Sequence, residues 1–214
     1  VSAFIEFPDP QGSDGWKAAR AGCVTGSRVA DMLATVKSGE AAGRRNYRIQ
    51  LAIERIKGKP QEMEFYSSDM KRGNELEPLA RMRYEAHTGN IVQEHGFLRH
   101  QSLMAGYSPD GSVDDWDGFI EIKCPKSANH WDIFSSRKIP GEYLKQVTHG
   151  FWITGAKWCD FLSYDPEMPD GLDLVVIRVN RADVDLSAHE SEVIKFLGEV
   201  AGMESAMRKA LQNQ

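Results

Sequence analysis

The sequence predicts an α/β protein in which a central mixed β-sheet carries helices on both faces. Three observations predict it. Leu76, Leu79, Ala80, Met82 and Tyr84 recur at roughly helical spacing, and the pattern stops at Thr88-Gly89. From Ile91 to Cys124 the texture changes to short apolar runs separated by Gly, Pro and Asp, which suits three or four strands with tight turns. Two further helical stretches then precede the runs WCDFLSY and DLVVIRV, an order of elements that points to a layered α/β arrangement.

Ser13 to Cys23 reads as a short helix, and Thr25-Gly26-Ser27 ahead of RVADMLA supplies N-cap residues, so a second helix opens near Ser27. Residues 37–46, with Gly39 and Gly43 among several charges, break the pattern as a flexible basic loop before YRIQLAIERIKG resumes it. A longer helix covers Asn74 to His87. After the strands of 91–124 come helices over 127–135 and 141–154, strands over 158–164 and 173–179, and a terminal helix from about 187. There is no internal repeat and no low-complexity tract. With 214 residues the chain suits one domain. Within 1–214 this gives a helical part over about 13–88, a sheet-rich core over about 91–180 and a C-terminal helix over about 187–211.

Composition narrows the function. Hydrophobic residues at 41% and charged residues at 27% match a globular protein, and no apolar run is long enough to span a bilayer, so no membrane role is expected. VSAFIEFPDP carries neither a basic leader nor a long apolar stretch, which makes a cytoplasmic location the expectation. Cys23, Cys124 and Cys159 are odd in number and widely spaced, against a disulfide framework or a Cys-based zinc site. The formal charge of −5 conceals an asymmetry. Basic residues outnumber acids over 41–83 (Arg44, Arg45, Arg48, Arg55, Lys57, Lys59, Lys71, Arg72, Arg81 and Arg83), whereas over 158–206 only Arg178, Arg181 and Lys195 face a large acidic excess. A polyanion would meet the first region and avoid the second.

The chemistry-bearing segment is Ser108-Pro109-Asp110-Gly111 followed by Ile120-Glu121-Ile122-Lys123. Strand side chains alternate, so Glu121 and Lys123 share one face while Ile120 and Ile122 take the other, towards the core. A turn at Pro109-Asp110-Gly111 brings Asp110 alongside. Two converging carboxylates make a hard oxygen site suited to Mg²⁺. Phosphodiester hydrolysis needs an acidified water and neutralised phosphoryl oxygens, which the metal supplies, and Lys123 can position the water or support developing negative charge.

These motifs fall in an ordered series: WKAARAGCVTGS at 16–27, RGNELEPLAR at 72–81, AGYSPDG at 105–111, FIEIKCP at 119–125, YLKQVTHGFWIT at 143–154 and YDPEM at 164–168. The series resembles the lambda-exonuclease family of phage recombination nucleases, within the PD-(D/E)xK superfamily, and covers most of the chain except 35–70. The resemblance implies a PD-(D/E)xK nuclease-like core and a Mg²⁺-dependent 5′→3′ exonuclease, with Mn²⁺ able to substitute. Such an enzyme digests one strand of linear double-stranded DNA from a 5′-phosphorylated end, releases 5′-mononucleotides and leaves 3′ single-stranded DNA for recombination by strand annealing.

Carried over residue by residue, the resemblance makes Asp110, Glu121 and the backbone carbonyl of Ile122 metal ligands and Lys123 the catalytic lysine. Glu77 matches the additional acidic residue, with Glu75 close enough in sequence to stand in for it. Gln146 matches the glutamine of the Y-x-x-Q segment, whose amide donates to phosphate or orients water. Arg20, Ser27 and Ser108, with Thr25 as a further contributor, match residues that bind the terminal 5′-phosphate, for which guanidinium groups and helix amino termini are suited. Met70 stands where the family places an apolar strand-separating wedge, with Phe65 or Tyr66 as alternatives. The resemblance further implies a homotrimer ring around DNA and a single-strand annealing protein as partner, in a bacterial host if phage-encoded.

Two other readings remain open from sequence. A PD-(D/E)xK endonuclease would add base-reading side chains to the same metal site. A DNA-end-binding module would keep the fold without turnover, which the intact Asp110, Glu121 and Lys123 argue against. A zinc hydrolase is weaker, since the histidines show no His-Glu-x-x-His or comparable spacing.

Overall fold

The computed structural model describes residues 4–61 and 67–213. The chain runs through β1 (Phe4–Phe7), α1 (Asp14–Arg20), β2 (Val24–Thr25), a 3₁₀ turn (Gly26–Arg28), α2 (Val29–Met32), α3 (Ala42–Lys57) and α4 (Ser68–Thr88). Then follow β3 (Phe97–His100), β4 (Ala105–Tyr107), β5 (Gly111–Val113), β6 (Gly118–Lys123), α5 (Ser127–Ser136), α6 (Gly141–Thr154), β7 (Trp158–Tyr164), β8 (Leu174–Asn180) and α7 (Leu186–Gln212). The mixed α/β class expected from the sequence is the observed one, with the β-structure divided into two four-stranded mixed sheets ordered β1-β3-β4-β2 and β5-β6-β7-β8.

The division falls at the segment that carries the chemistry. β4 ends at Tyr107 in one sheet, β5 starts at Gly111 in the other, and Ser108-Pro109-Asp110 crosses between them. Pro109 has no N–H to give a ladder and suits such a crossing. In the second sheet β6 lies between antiparallel β5 and parallel β7. The parallel pair needs a long crossover, which α5 and α6 provide.

Both faces of β6 are covered, and this corrects the simple inside-outside reading of the strand. Ile120 and Ile122 pack with Leu162 against Ala80 and Tyr84 of α4. Phe119 and Phe161 pack on the opposite face against Val147 and Phe151 of α6. Glu121 belongs to that second face and is only 1% exposed. Helices on both sides of the sheet therefore bury the Glu121 carboxylate as well as the isoleucines.

Element boundaries depart from expectation at the amino-terminal half. α4 starts at Ser68, where the Ser67 hydroxyl accepts from the Met70 N–H at 3.1 Å, and it runs through an exposed Pro78. It ends as expected at Gly89, in the left-handed conformation at φ 77°. α3 begins at Ala42, so the second half of the expected basic loop of 37–46 is helical. Arg44 secures that start by pairing with Glu199 of α7 at 2.8 Å, and Tyr47 stacks on Phe196 beneath it. No helix among the described residues is long and apolar enough to cross a membrane.

Candidate active site

Asp110 leaves the turn between the two sheets and its Oδ2 accepts from the main-chain N–H of Ile122 at 2.6 Å. That bond places the carboxylate against the end of β6, beside Ile122. On the same strand Lys123 Nζ donates to Glu121 Oε1 at 2.6 Å, as the two-residue alternation requires. The other oxygen of Glu121 accepts from the Tyr107 hydroxyl. Lys123 also sits 5.3 Å from the centre of the Tyr143 ring. The structure therefore brings Asp110, Glu121, Ile122 and Lys123 together.

Charge in this cluster is unbalanced. Burial raises the Asp110 pKa well above the usual carboxylate range, and the negative charges of Glu121 and Glu77 add to it. Burial would favour a neutral Lys123, but Glu121 and Asp110 outweigh it and hold the side chain as an ammonium. Lys123 on Glu121 and Arg81 on Glu77 thus face three carboxyl groups.

Glu77 reaches this cluster from α4, and the structure separates it from Glu75. Glu77 is half-buried on the sheet side and accepts from Arg81 at 2.8 Å. Burial raises its pKa, Arg81 opposes the rise, and Glu121 adds to it. Glu75 is exposed and pairs loosely with Lys71 at 3.8 Å. Arg81 also donates to the Asp110 carbonyl at 3.1 Å, which joins α4 to the Asp110 turn.

A second cluster lies two residues before Asp110. The Ser108 hydroxyl accepts from the Trp16 indole at 2.9 Å and from Arg20 at 3.4 Å. Arg20 lies over the Trp16 ring, 3.9 Å from its centre. Among the described residues no carboxylate pairs with Arg20, whose pKa burial lowers to about 10, so it remains a cation at neutral pH without a counter-ion.

Thr25 and Ser27 lie at the neighbouring turn. The helix expected to open near Ser27 is a 3₁₀ turn followed by the single turn Val29–Met32, too short for an appreciable macrodipole. Ser27 is exposed, and among the described residues no hydrogen bond joins Thr25 or Ser27 to Arg20 or Ser108. Thr25 instead donates its N–H to the Tyr47 hydroxyl at 3.0 Å. Gln146, half-buried on α6, borders this turn: its Cγ lies 3.5 Å from where a side-chain carbon on Gly26 would sit. Met70 lies in the first turn of α4, 41% exposed, while the alternatives Phe65 and Tyr66 lie outside the described residues.

The donor set fits a hard divalent cation. Among the described residues no three His, Cys, Asp or Glu side chains form a ready-made cage. Mg²⁺ does not require one, since it is commonly held by one or two carboxylates with water and substrate oxygens completing the shell. Asp110, Glu121 and the Ile122 carbonyl supply that number of ligands, and the excess negative charge around Asp110 is what a cation would relieve. Tyr107, Arg81 and Trp16 were missed as site residues from sequence.

The YqaJ-like viral recombinase domain matches residues 15–157, a span that contains every site residue above. The chain belongs to the YqaJ-like viral recombinase family. Two crystal structures of the alkaline exonuclease LHK-Exo from Laribacter hongkongensis share 41% identity with it and align over 94% of this chain and 100% of theirs. The TM-scores are 0.84 for the complex with dAMP and 0.83 for the other structure. A phage-related exonuclease from Haemophilus somnus 129PT, 13% identical with a TM-score of 0.62 over 88% of this chain and 96% of its own, shares the fold. No curated protein matches the chain significantly. This YqaJ-like protein accordingly has a nuclease function, in agreement with the lambda-exonuclease resemblance of its motifs.

Proposed function

We propose that this YqaJ-like protein is a Mg²⁺-dependent 5′→3′ exonuclease that digests one strand of linear duplex DNA from a 5′-phosphorylated end. It leaves 3′ single-stranded DNA for recombination by strand annealing. The observation that carries the reading is the adjacency of two clusters: Asp110, Glu121 and Lys123 on one side, and the Arg20 guanidinium sharing Ser108 with the Asp110 turn on the other. Asp110, Glu121 and the Ile122 carbonyl would hold the metal, with Glu77 close by, and Mn²⁺ is an alternative occupant. When bound, the ion neutralises phosphoryl charge and makes water more acidic.

The chain's own residues do the rest. The Lys123 ammonium faces the phosphoryl oxygens and stabilises negative charge as the bond to the leaving oxygen breaks. The Gln146 amide donates to a phosphate oxygen or orients water. Arg20 and Ser108 bind the terminal 5′-phosphate, with Thr25 and Ser27 at the rim, and an anchored end sets the strand that is cut. Met70 parts the terminal base pair. The dAMP bound to LHK-Exo is a nucleoside monophosphate, the product class that such a reaction releases. A homotrimer ring around DNA and a single-strand annealing partner complete the proposal on the strength of the family resemblance.

The test is linear duplex with a 5′-phosphate at one end and a 5′-hydroxyl at the other, with closed circular duplex alongside. Selective loss of the phosphorylated strand in Mg²⁺, with circles intact, is the expected result. Cutting of circles would establish an endonuclease instead. Arg20→Ala should reduce the preference for the phosphorylated end by about 10-fold or more, the loss of one charge-assisted hydrogen-bonding group. An unchanged ratio of the two strands' digestion rates would remove Arg20 from end recognition.

A further inference from the structure

Tyr107 lies between Glu121 and the turn at Gly26. It is 1% exposed on β4, and its hydroxyl donates to Glu121 Oε2 while Lys123 holds Oε1. Glu121 is therefore fixed from two sides. Burial and the charge of Glu121 push the phenol well above its ordinary range, so the hydroxyl stays a donor.

The ring itself is gripped by backbone. A side-chain carbon on Gly26 would lie 2.6 Å from Tyr107 Cδ2, and one on Gly150 of α6 would lie 3.0 Å from Cε1. Phe119 packs edge-on at 5.6 Å between centroids. Gly26 is the middle of the Thr25-Gly26-Ser27 turn, so that turn rests directly on the ring whose hydroxyl orients Glu121. A rigid aromatic ring with backbone at both edges acts as a spacer of fixed width.

We infer that Tyr107 is a positioning residue that couples DNA-end recognition to cleavage. Its ring sets the distance from the 25–27 turn to Glu121, and its hydroxyl fixes the Glu121 carboxylate. The spacing role rests on Thr25 and Ser27 lying at the end-binding rim; the hydroxyl role rests only on Glu121 being central.

The experiment compares wild type, Tyr107→Phe, Tyr107→Leu and Gly26→Ala. It measures kcat and KM on linear duplexes with 5′-phosphate or 5′-hydroxyl ends, and Mn²⁺ binding by calorimetry without DNA. Tyr107→Phe keeps the spacer and releases the carboxylate. It should lower kcat on the order of 10-fold and weaken Mn²⁺ binding by a similar factor, the usual range for a residue supporting a metal ligand. Its KM and end preference should stay unchanged. Gly26→Ala and Tyr107→Leu change the spacing, and both should reduce the 5′-phosphate preference several-fold. Thermal midpoints identify any variant that fails to fold, and Gly26→Ala carries the spacing test if Tyr107→Leu does not fold.

Wild-type kcat and Mn²⁺ affinity in Tyr107→Phe would overturn the hydroxyl role. Undiminished preference in folded Gly26→Ala would overturn the spacing role. A wild-type enzyme indifferent to the 5′-phosphate would refute end recognition itself, and with it the spacing, before any variant is compared.

Discussion

Lys123→Met is expected to lower kcat by about 10²–10³, the range observed when a single group facing developing charge is removed. The argument begins with β6, whose alternation puts Lys123 on the face of Glu121 and within 2.6 Å of it. With one ammonium among Asp110, Glu121 and Glu77, no other described cation takes its place on Glu121. The same geometry predicts a stability effect that must be separated from the catalytic one. Glu121 is nearly fully buried, and removing its partner leaves a buried charge with only the Tyr107 hydroxyl, a loss of roughly 3 kcal/mol. Adding Glu121→Gln to Lys123→Met neutralises that charge. The double variant should recover most of the thermal midpoint and none of the activity. The double variant reports stability alone, because Glu121 is itself a proposed metal ligand; a folded Lys123→Met single variant that keeps wild-type kcat would mean that Lys123 is structural, and the catalytic assignment would fall.

What the sequence revealed and what it withheld divide along the range of the interactions. β7 matched its expected residues 158–164, and α6 its expected 141–154, because both are decided by local periodicity and by Gly155 beyond the helix. The pairing of Glu121 with Lys123 is equally local. The separation of two sheets depends on which strands find each other, and nothing in the short runs FLRH or AGY specifies a partner. β1 escaped notice because a four-residue edge strand with its middle residues exposed carries no alternation long enough to read. Ser67 caps α4 ahead of a polar run, and the apolar periodicity marks only the later part of the helix.

The site shows the same division. Asp110 and Glu121 stand in recognisable motifs, whereas Tyr107 reads as an ordinary buried aromatic until its hydroxyl is seen on Glu121. Arg81 had a legible signal, since it follows Glu77 by four residues on one helix, the spacing at which such side chains meet. Its second contact, to the Asp110 carbonyl, lies 29 residues away and had none. The capping residues Thr25-Gly26-Ser27 mark where a helical segment opens but not how long it runs: a 3₁₀ turn leads into α2, which has four residues.

The unfolding midpoint should fall substantially between pH 7 and pH 5, and the cause lies behind the site. His149 on α6 is fully buried, with Nε2 3.1 Å from the Gly106 carbonyl and Nδ1 3.0 Å from His189 Nε2 of α7. A carbonyl only accepts, so His149 carries its hydrogen on Nε2 and takes a hydrogen bond from His189 on Nδ1. Both rings are neutral in that arrangement, and two added protons would set N–H against N–H. Burial lowers the His149 pKa from 6.5 to about 3, helped by His189 and His100, and lowers that of His189 to about 4. A folded-state pKa below the unfolded one contributes stability that is present above pH 6.5 and is lost as the pH falls towards the folded values. By pH 5 the loss is roughly 2 kcal/mol for each ring taken alone. Asp110 and Glu77, whose pKa values are raised, act with the opposite sign, so the histidines are isolated by comparison with His189→Phe. That variant should lose markedly less stability between pH 7 and pH 5 in urea titrations. Equal losses in both proteins would show that the buried pair is not what acid disrupts.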